Sequence, residues 1–120
     1  MTTVKVVPVV GVTFAAGYPK NLLRLAGLVD DITREGPVVV ALVRNPTNKH
    51  DTNAVEVHVP ALGWQTMIGH VSRDNAARLA PLMDAGTDFD ACIYQCRINP
   101  EHLERPGIDI GITRAPVEAF

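Results

Sequence analysis

The residues best suited to chemistry lie between Arg44 and Asn53. This stretch contains three asparagines, one aspartate, one histidine and two cations, and its only apolar side chain is that of Pro46. Asparagine and aspartate hydrogen-bond to nearby backbone and tolerate left-handed conformations, so part of this composition is ordinary turn chemistry. A turn between strands needs only about two to five residues, and the extra polar length is typical of a loop that meets a polar ligand. The composition alone leaves both interpretations open.

Catalysis is the first function to weigh for these side chains. His50 and Asp51, together with His70, could form an acid–base pair or part of a metal-dependent nuclease site. Adjacent residues in a chain seldom point toward one centre, and no cluster of carboxylates accompanies them. No serine or cysteine nucleophile has an evident base, and no paired CxxC or HxxxH motif offers zinc ligands. We therefore expect a non-catalytic protein with no metal and no other cofactor.

The compartment is inferred from the cysteines and from the lack of targeting signals. Cys92 and Cys96 fall in one predicted strand, where positions i and i+4 share a face and lie about 13 Å apart. A disulfide needs α-carbons within about 7 Å, so both should be free thiols, as in a reducing compartment. No apolar run approaches the ~18 residues of a membrane span, and the first ten residues lack signal-peptide features. We expect a cytoplasmic protein that does not contact a membrane.

Length and charge set weak limits on the partner. The chain has 120 residues, which suits one domain over 1–120. Its net charge of −2 gives no global sign of a nucleic-acid binder. Residues 1–36 and residues 37–80 each hold four basic and three acidic side chains, whereas residues 81–120 hold three basic and seven acidic ones. An anionic partner should therefore meet the first two-thirds of the chain.

Strand patterns dominate the elements that must position the polar stretch. Val4–Phe14 is rich in β-branched residues and is interrupted by Pro8, which marks a break, a bulge or an edge. The apolar run 37–44 predicts a central strand buried on both faces. Residues 54–59 alternate strictly, with three valines on one side and with Glu56 and His58 facing outward. Further strands are predicted over 65–71, 89–98 and 108–113.

Two helices are indicated between these strands. Pro19 and Gly27 suit the two ends of a short first helix. A clearer helix begins at Ser72, whose hydroxyl can cap the first turn, and it ends at Gly86. Pro81 lies within it and predicts a kink or an early stop. The order of elements predicts a mainly β fold with one or two helices: a small, OB-like or SH3-like, partly open β-barrel with a helix covering one end.

At this point the residues resemble a known family. Asn45-Pro46-x-Asn48-x-x-Asp51-x-Asn53-Ala54-Val55-x-Val57 is similar to the signature of the HIRAN domain. Three further segments resemble the family in the same order: 9–14 as the first strand, 68–73 as the strand that leads into a helix, and 76–86 as that helix. Together the match covers residues 9 to about 100.

The resemblance implies a function. In eukaryotic fork-remodelling helicases, HIRAN domains hold single-stranded DNA with a free 3′ hydroxyl. By position, Asp51 matches the acid that hydrogen-bonds to the terminal sugar hydroxyl. His50 stands where such members have a tyrosine that stacks on a base, and Asn48 belongs to the same loop. A module of this kind would bind single-stranded DNA or DNA 3′ ends in repair or replication, alongside a separate helicase or nuclease.

The other matched positions complete the implied DNA site. Phe14 matches a second aromatic beside the terminal nucleotides, and His70 and Arg73 match side chains that hold the backbone phosphates. Thr13 departs from the pattern, because eukaryotic end-binding members have an arginine there. The departure removes one charge-assisted contact. A protein-interaction barrel that regulates a partner and has lost DNA-end binding is therefore the alternative function.

Several side chains keep a purely structural alternative. Phe14 ends a predicted strand and could belong to the core, and His70 could be an ordinary exposed residue of an alternating strand. We expect His58 to be solvated. We expect Trp64, the only tryptophan, to be partly buried beside a turn.

Overall fold

The structure is a computed structural model that describes residues 4–115. It contains six β-strands, all of which pair antiparallel. Two α-helices and two short 3₁₀ helices, Val12–Phe14 and Pro60–Leu62, connect them. In chain order the main elements are β1 (Lys5–Val10), α1 (Lys20–Asp30), β2 (Val39–Arg44), β3 (Val55–His58), β4 (Met67–Val71), α2 (Arg73–Asp84), β5 (Phe89–Arg97) and β6 (Gly107–Arg114).

The six strands form a closed barrel in the order β1-β4-β3-β2-β5-β6. β1 closes it, because its first four residues pair with β6 and its last two pair with β4. Pro8 stands where the partner changes, as expected of a residue that cannot donate to a ladder. The predicted small, mainly β barrel with one or two helices is confirmed. It is closed rather than partly open.

The core confirms one predicted strand pattern and corrects another. Val55 and Val57 of β3 are fully buried, as alternation predicted. β2 was predicted to be buried on both faces, and this is wrong: Val39 is 57% exposed, whereas its neighbour Val40 is buried. An antiparallel barrel turns only one face of each strand inward, so an apolar run can still have a solvated side.

The helices differ from their predicted ends. α1 does not end at Gly27 but continues to Asp30, and Leu28 packs on the core beyond the glycine. Ser72 occupies the predicted position before α2, but its hydroxyl makes no cap and instead accepts a hydrogen bond from Asn75 at 2.8 Å. Pro81 does not stop α2, which ends before Gly86 as predicted. Neither helix is long and apolar enough to cross a bilayer.

The two cysteines are free, but their predicted common face is wrong. The pairing of β5 with β6 shifts by one residue at Tyr94. Cys92 is therefore opposite Gly111, on the outer side of the barrel, whereas Cys96 is opposite the buried Ile108 and packs on the core. One extra residue in a strand reverses the side on which every later residue lies.

Candidate nucleic-acid interface

The β2–β3 loop, residues 45–53, is built from side-chain to backbone hydrogen bonds. The Asn48 Oδ1 accepts from the backbone N–H groups of His50 at 2.9 Å and Asp51 at 3.1 Å. The Asp51 Oδ1 in turn accepts from the N–H of Asn53 at 2.9 Å. Turn chemistry therefore accounts for Asn48 and for one oxygen of Asp51. It leaves the His50 ring exposed to solvent.

The base of this loop is clamped from outside. Arg44 forms a bidentate pair with Asp84 at the end of α2, with Nε–Oδ1 and Nη2–Oδ2 distances of 2.9 and 3.1 Å. Its Nη1 also donates to the Ala54 carbonyl, which accepts the Asn45 N–H as well. The hydrogen bond with Asp84 raises the pKa of Arg44, and the same bond lowers the pKa of Asp84. One of the two cations noted in this stretch therefore holds the loop and is not available to a ligand.

A second tie joins the loop to β3. The Asn45 Nδ2 donates to the Glu56 Oε2 at 3.0 Å, and the other oxygen of Glu56 lies 2.8 Å from the His58 Nε2. The side chain of His58 is only 13% exposed, so the prediction that it is solvated is wrong. It does face outward from the barrel, but the neighbouring carboxylate holds it against the surface.

His70 lies within β4. β4 runs between β1 and β3, and His70 is paired with Val10 on one side and with Glu56 on the other. Its side chain is half-buried. The preceding residue, Gly69, permits the short distance between β4 and the end of β1, because a Cβ there would lie 2.6 Å from the carbonyl oxygen of Val10. The glycine thus allows the chain after β1 to pass close to β4.

Phe14 is the most exposed aromatic side chain among residues 4–115. It lies on the 3₁₀ helix after β1 and is 92% exposed, which excludes the core alternative. Thr13 beside it is half-buried. Gly11 begins this turn with a φ of 69°, and no atom lies within 4 Å of where its Cβ would be. The role of Gly11 is thus to adopt the left-handed backbone conformation that this turn requires.

Arg73 is exposed in the first turn of α2, directly after β4 and Ser72. A cation there is unfavourable for the helix dipole, so an external anion would be favourable beside it. The predicted site residues thus lie on β4 (His70), at the start of the helix that follows it (Arg73), and on the connections after β1 and before β3, and these three strands are adjacent. Trp64, predicted to be partly buried, is 83% exposed on the β3–β4 connection. No group of three side chains suited to a metal ion occurs within residues 4–115.

The structure adds two residues that the sequence did not single out for this site. Arg44 and Glu56 do not face a ligand but fix the two ends of the β2–β3 loop. The role of Glu56 could have been found from the sequence, because it lies three residues after Asn53 and the strand alternation places its side chain on the outer face. Arg44 had none, because its partner Asp84 is 40 positions away.

Comparisons with known proteins agree with this fold. The profile of the HIRAN domain family matches residues 6–110. The crystal structure of the HIRAN domain of human HLTF is similar in fold, with a TM-score of 0.62, 20% identity, and coverage of 92% of this chain and 74% of that chain. A protein from Lactobacillus plantarum has a TM-score of 0.66, 19% identity, and 95% coverage of both chains. No curated protein gives a significant sequence match.

Proposed function

The chain belongs to the HIRAN domain family, a family of DNA-binding modules, and from that premise we propose that it recognises single-stranded DNA ends that carry a 3′ hydroxyl. In this proposal it is non-catalytic and acts with a separate helicase or nuclease in DNA repair or replication. The observation that carries the proposal is the 92% exposure of Phe14. An apolar ring with no packing role in the fold is available as a platform for a base, and such stacking contributes roughly 1–3 kcal/mol per base.

Asp51 supplies the selectivity for a strand end. Its Oδ1 is engaged within the loop, whereas its Oδ2 accepts no hydrogen bond within residues 4–115. That oxygen can accept a hydrogen bond from a sugar hydroxyl. The same carboxylate repels a phosphate placed there, because like charges at close range are unfavourable. An interior nucleotide or a phosphorylated end would therefore bind less well than a free 3′ hydroxyl.

The remaining residues give affinity rather than selectivity. His50 presents an exposed ring beside Asp51, and Asn48 keeps its amide N–H groups for a ligand while its oxygen holds the loop. His70 and Arg73 would contact backbone phosphates. Thr13 can make a neutral hydrogen bond, which is weaker than a charge-assisted one. With about two or three phosphate contacts, the salt dependence of binding should be shallow.

A protein-interaction barrel that has lost DNA-end binding is the second candidate. Two observations favour it. Thr13 stands where end-binding members have an arginine, and the outer face around β5 and β6 exposes Val4, Val39 and Tyr94. A surface of this kind suits a protein partner better than a strand of nucleic acid.

The decisive experiment compares short oligonucleotides that end in a 3′ hydroxyl or a 3′ phosphate. Fluorescence anisotropy should give tighter binding to the hydroxyl form by about tenfold. The variant Asp51→Asn keeps the turn acceptor and removes the charge, so it should bind both forms nearly equally. Asp31→Asn is the matched control, because the Asp31 Oδ1 makes the same kind of turn with the N–H of Thr33 at 2.9 Å.

A second pair of variants tests the stacking platform. Phe14→Ala should weaken binding of the hydroxyl form by roughly 1–3 kcal/mol and leave thermal stability unchanged. Tyr94→Ala, which removes another exposed ring, should leave binding unchanged. Equal, negligible binding of both oligonucleotides to the wild type would overturn the proposal and favour the protein-interaction barrel.

A further inference from the structure

A groove of about 220 Å³ lies between α2 and the barrel, apart from the β2–β3 loop. Its floor is apolar: Val7 and Ile112 come from the barrel wall, and Leu79 and Leu82 come from α2. Phe89, at the start of β5, closes one side and is half-buried. The groove is smaller than the ~300–1,000 Å³ of typical small-molecule pockets and suits a single large side chain.

Three cations from three different elements line this groove. Lys5 belongs to β1, Arg78 to α2 and Arg114 to β6. No acidic side chain lines it, and none of the three cations forms an ion pair within residues 4–115. Asp88 and Asp90 flank Phe89 in the chain but do not line the groove. In a protein of net charge −2, this is a local positive surface over an apolar floor.

We propose that this groove binds an acidic peptide segment of a partner protein. One bulky apolar side chain of the peptide occupies the floor between Leu79, Leu82 and Phe89, and its flanking carboxylates pair with the cations on the rim. Buried apolar anchors surrounded by polar contacts carry most of the affinity in protein interfaces. A nucleic-acid strand fits less well, because the lining is mainly aliphatic and offers its bases only the Phe89 ring for stacking. This site is additional to the proposed DNA site and does not depend on it.

The test uses the whole chain and a synthetic peptide in which one leucine is flanked by glutamates. Titration of ¹⁵N-labelled protein should shift the amide resonances of α2, β1 and β6 around the groove and leave those of the β2–β3 loop in place. Two comparison peptides isolate the two contributions: one carries serine in place of leucine, and the other carries lysines in place of glutamates. Each should bind at least about tenfold more weakly.

Two groove variants and their controls locate the site. Arg78→Ala and Leu82→Ala should each weaken the leucine peptide by about fivefold or more. Arg105→Ala removes an exposed cation of the β5–β6 loop, and Leu23→Ala removes a comparably exposed leucine of α1, so both should leave binding unchanged. The amide spectrum of each variant shows that the fold is intact.

Three results would overturn the proposal. They are an absence of saturable peptide binding to the wild type, equal binding of the leucine and serine peptides, and shifts that lie outside the groove. A fourth assigns the groove to nucleic acid instead: a 3′-hydroxyl oligonucleotide displaces the peptide and Leu82→Ala weakens the oligonucleotide as strongly as the peptide. Failure of DNA binding alone leaves the peptide result standing, so the two proposals fail independently.

Discussion

Two loops of this protein start alike and end in different environments. The β2–β3 loop begins Asn45-Pro46 and the β5–β6 loop, residues 98–106, contains Asn99-Pro100. Each follows a strand that ends in an arginine, each contains a histidine, and each has an asparagine oxygen that accepts from backbone N–H groups. Local turn chemistry is thus shared and does not distinguish a binding loop from a plain connection.

The difference lies in what holds each loop from outside. Arg44 reaches α2 and is 15% exposed, whereas Arg97 reaches only Asp109 of its own hairpin, at 3.4 Å, and is 57% exposed. His50 therefore projects from a backbone fixed at both ends. The His102 ring instead lies 3.4 Å from Glu104, an exposed residue of the same loop, so this contact does not hold the loop from outside. Preorganisation by neighbouring elements is what allows exposed side chains to bind without a large ordering cost.

The largest effect should come from removing the clamp. Arg44→Ala deletes the pair with Asp84 and the bond to the Ala54 carbonyl, so the loop loses its outside support. We expect a lower thermal midpoint and DNA affinity reduced by about tenfold or more. Arg97→Ala is the matched change and should alter neither quantity. Equal effects of the two substitutions would remove the distinction between the loops.

The second effect concerns the asparagine in each loop. Asn48→Ala leaves the N–H groups of His50 and Asp51 without their acceptor and should lower the free energy of unfolding by about 1–2 kcal/mol. Asn99→Ala loses an exposed bond to the N–H of Glu101 and should cost less than about 0.5 kcal/mol. Urea unfolding measures both values. A larger loss for Asn99→Ala would contradict this ranking.

The third effect separates the two histidines by binding alone. His50→Ala should weaken binding of a 3′-hydroxyl oligonucleotide by roughly threefold to tenfold, because a stacking ring is lost. His102→Ala should not change it. Both rings are exposed, so neither variant should change the thermal midpoint. Weaker binding by His102→Ala would contradict this, because it would indicate that DNA contacts the β5–β6 loop.

The smallest effect is a pH dependence at the clamp. The hydrogen bond from Arg44 lowers the pKa of Asp84 below its ordinary value of 3.8. The stabilisation is therefore complete above that value and is lost as pH falls through the lowered folded-state pKa. The stabilities of the wild type and Asp84→Asn should converge in acid, as measured by urea unfolding at several pH values. In an Arg44→Ala background the difference between the two should no longer depend on pH in this range.

Much of the barrel was predictable because its signals are local. The alternation of Val55, Val57 and Val59 records which side of β3 faces the core, and all three valines are fully buried. The sequence could not reveal that Val39 is exposed, because a continuous apolar run occurs in strands buried on one face as well as in strands buried on both faces. Nor could it show that α1 continues past Gly27, since packing of Leu28 overrides the low helix propensity of glycine.

The candidate site also combines features that have a local sequence signal with features that depend on distant residues. The polar loop was visible as a sequence pattern. Phe14 was instead predicted to end a strand, and its exposure depends on the 3₁₀ helix that begins after the left-handed Gly11. The clamp joins Arg44 to Asp84 across 40 positions and leaves no local pattern. His58 was misjudged for a different reason. Its carboxylate partner Glu56 lies only two residues away on the same outer face, but alternation shows which face a side chain occupies and not what it contacts.

The extra residue in β5 gives the protein two thiols of unequal reactivity. Burial raises the pKa of the Cys96 thiol to about 11, so little thiolate is present near neutral pH. Cys92 lies on the outer side of the barrel, opposite Gly111. One equivalent of a maleimide dye should therefore modify Cys92 first, as mass spectrometry of the digested protein would show. The native chain thus carries a built-in attachment point for a fluorescent reporter, on a strand that contributes no residue to the proposed DNA site.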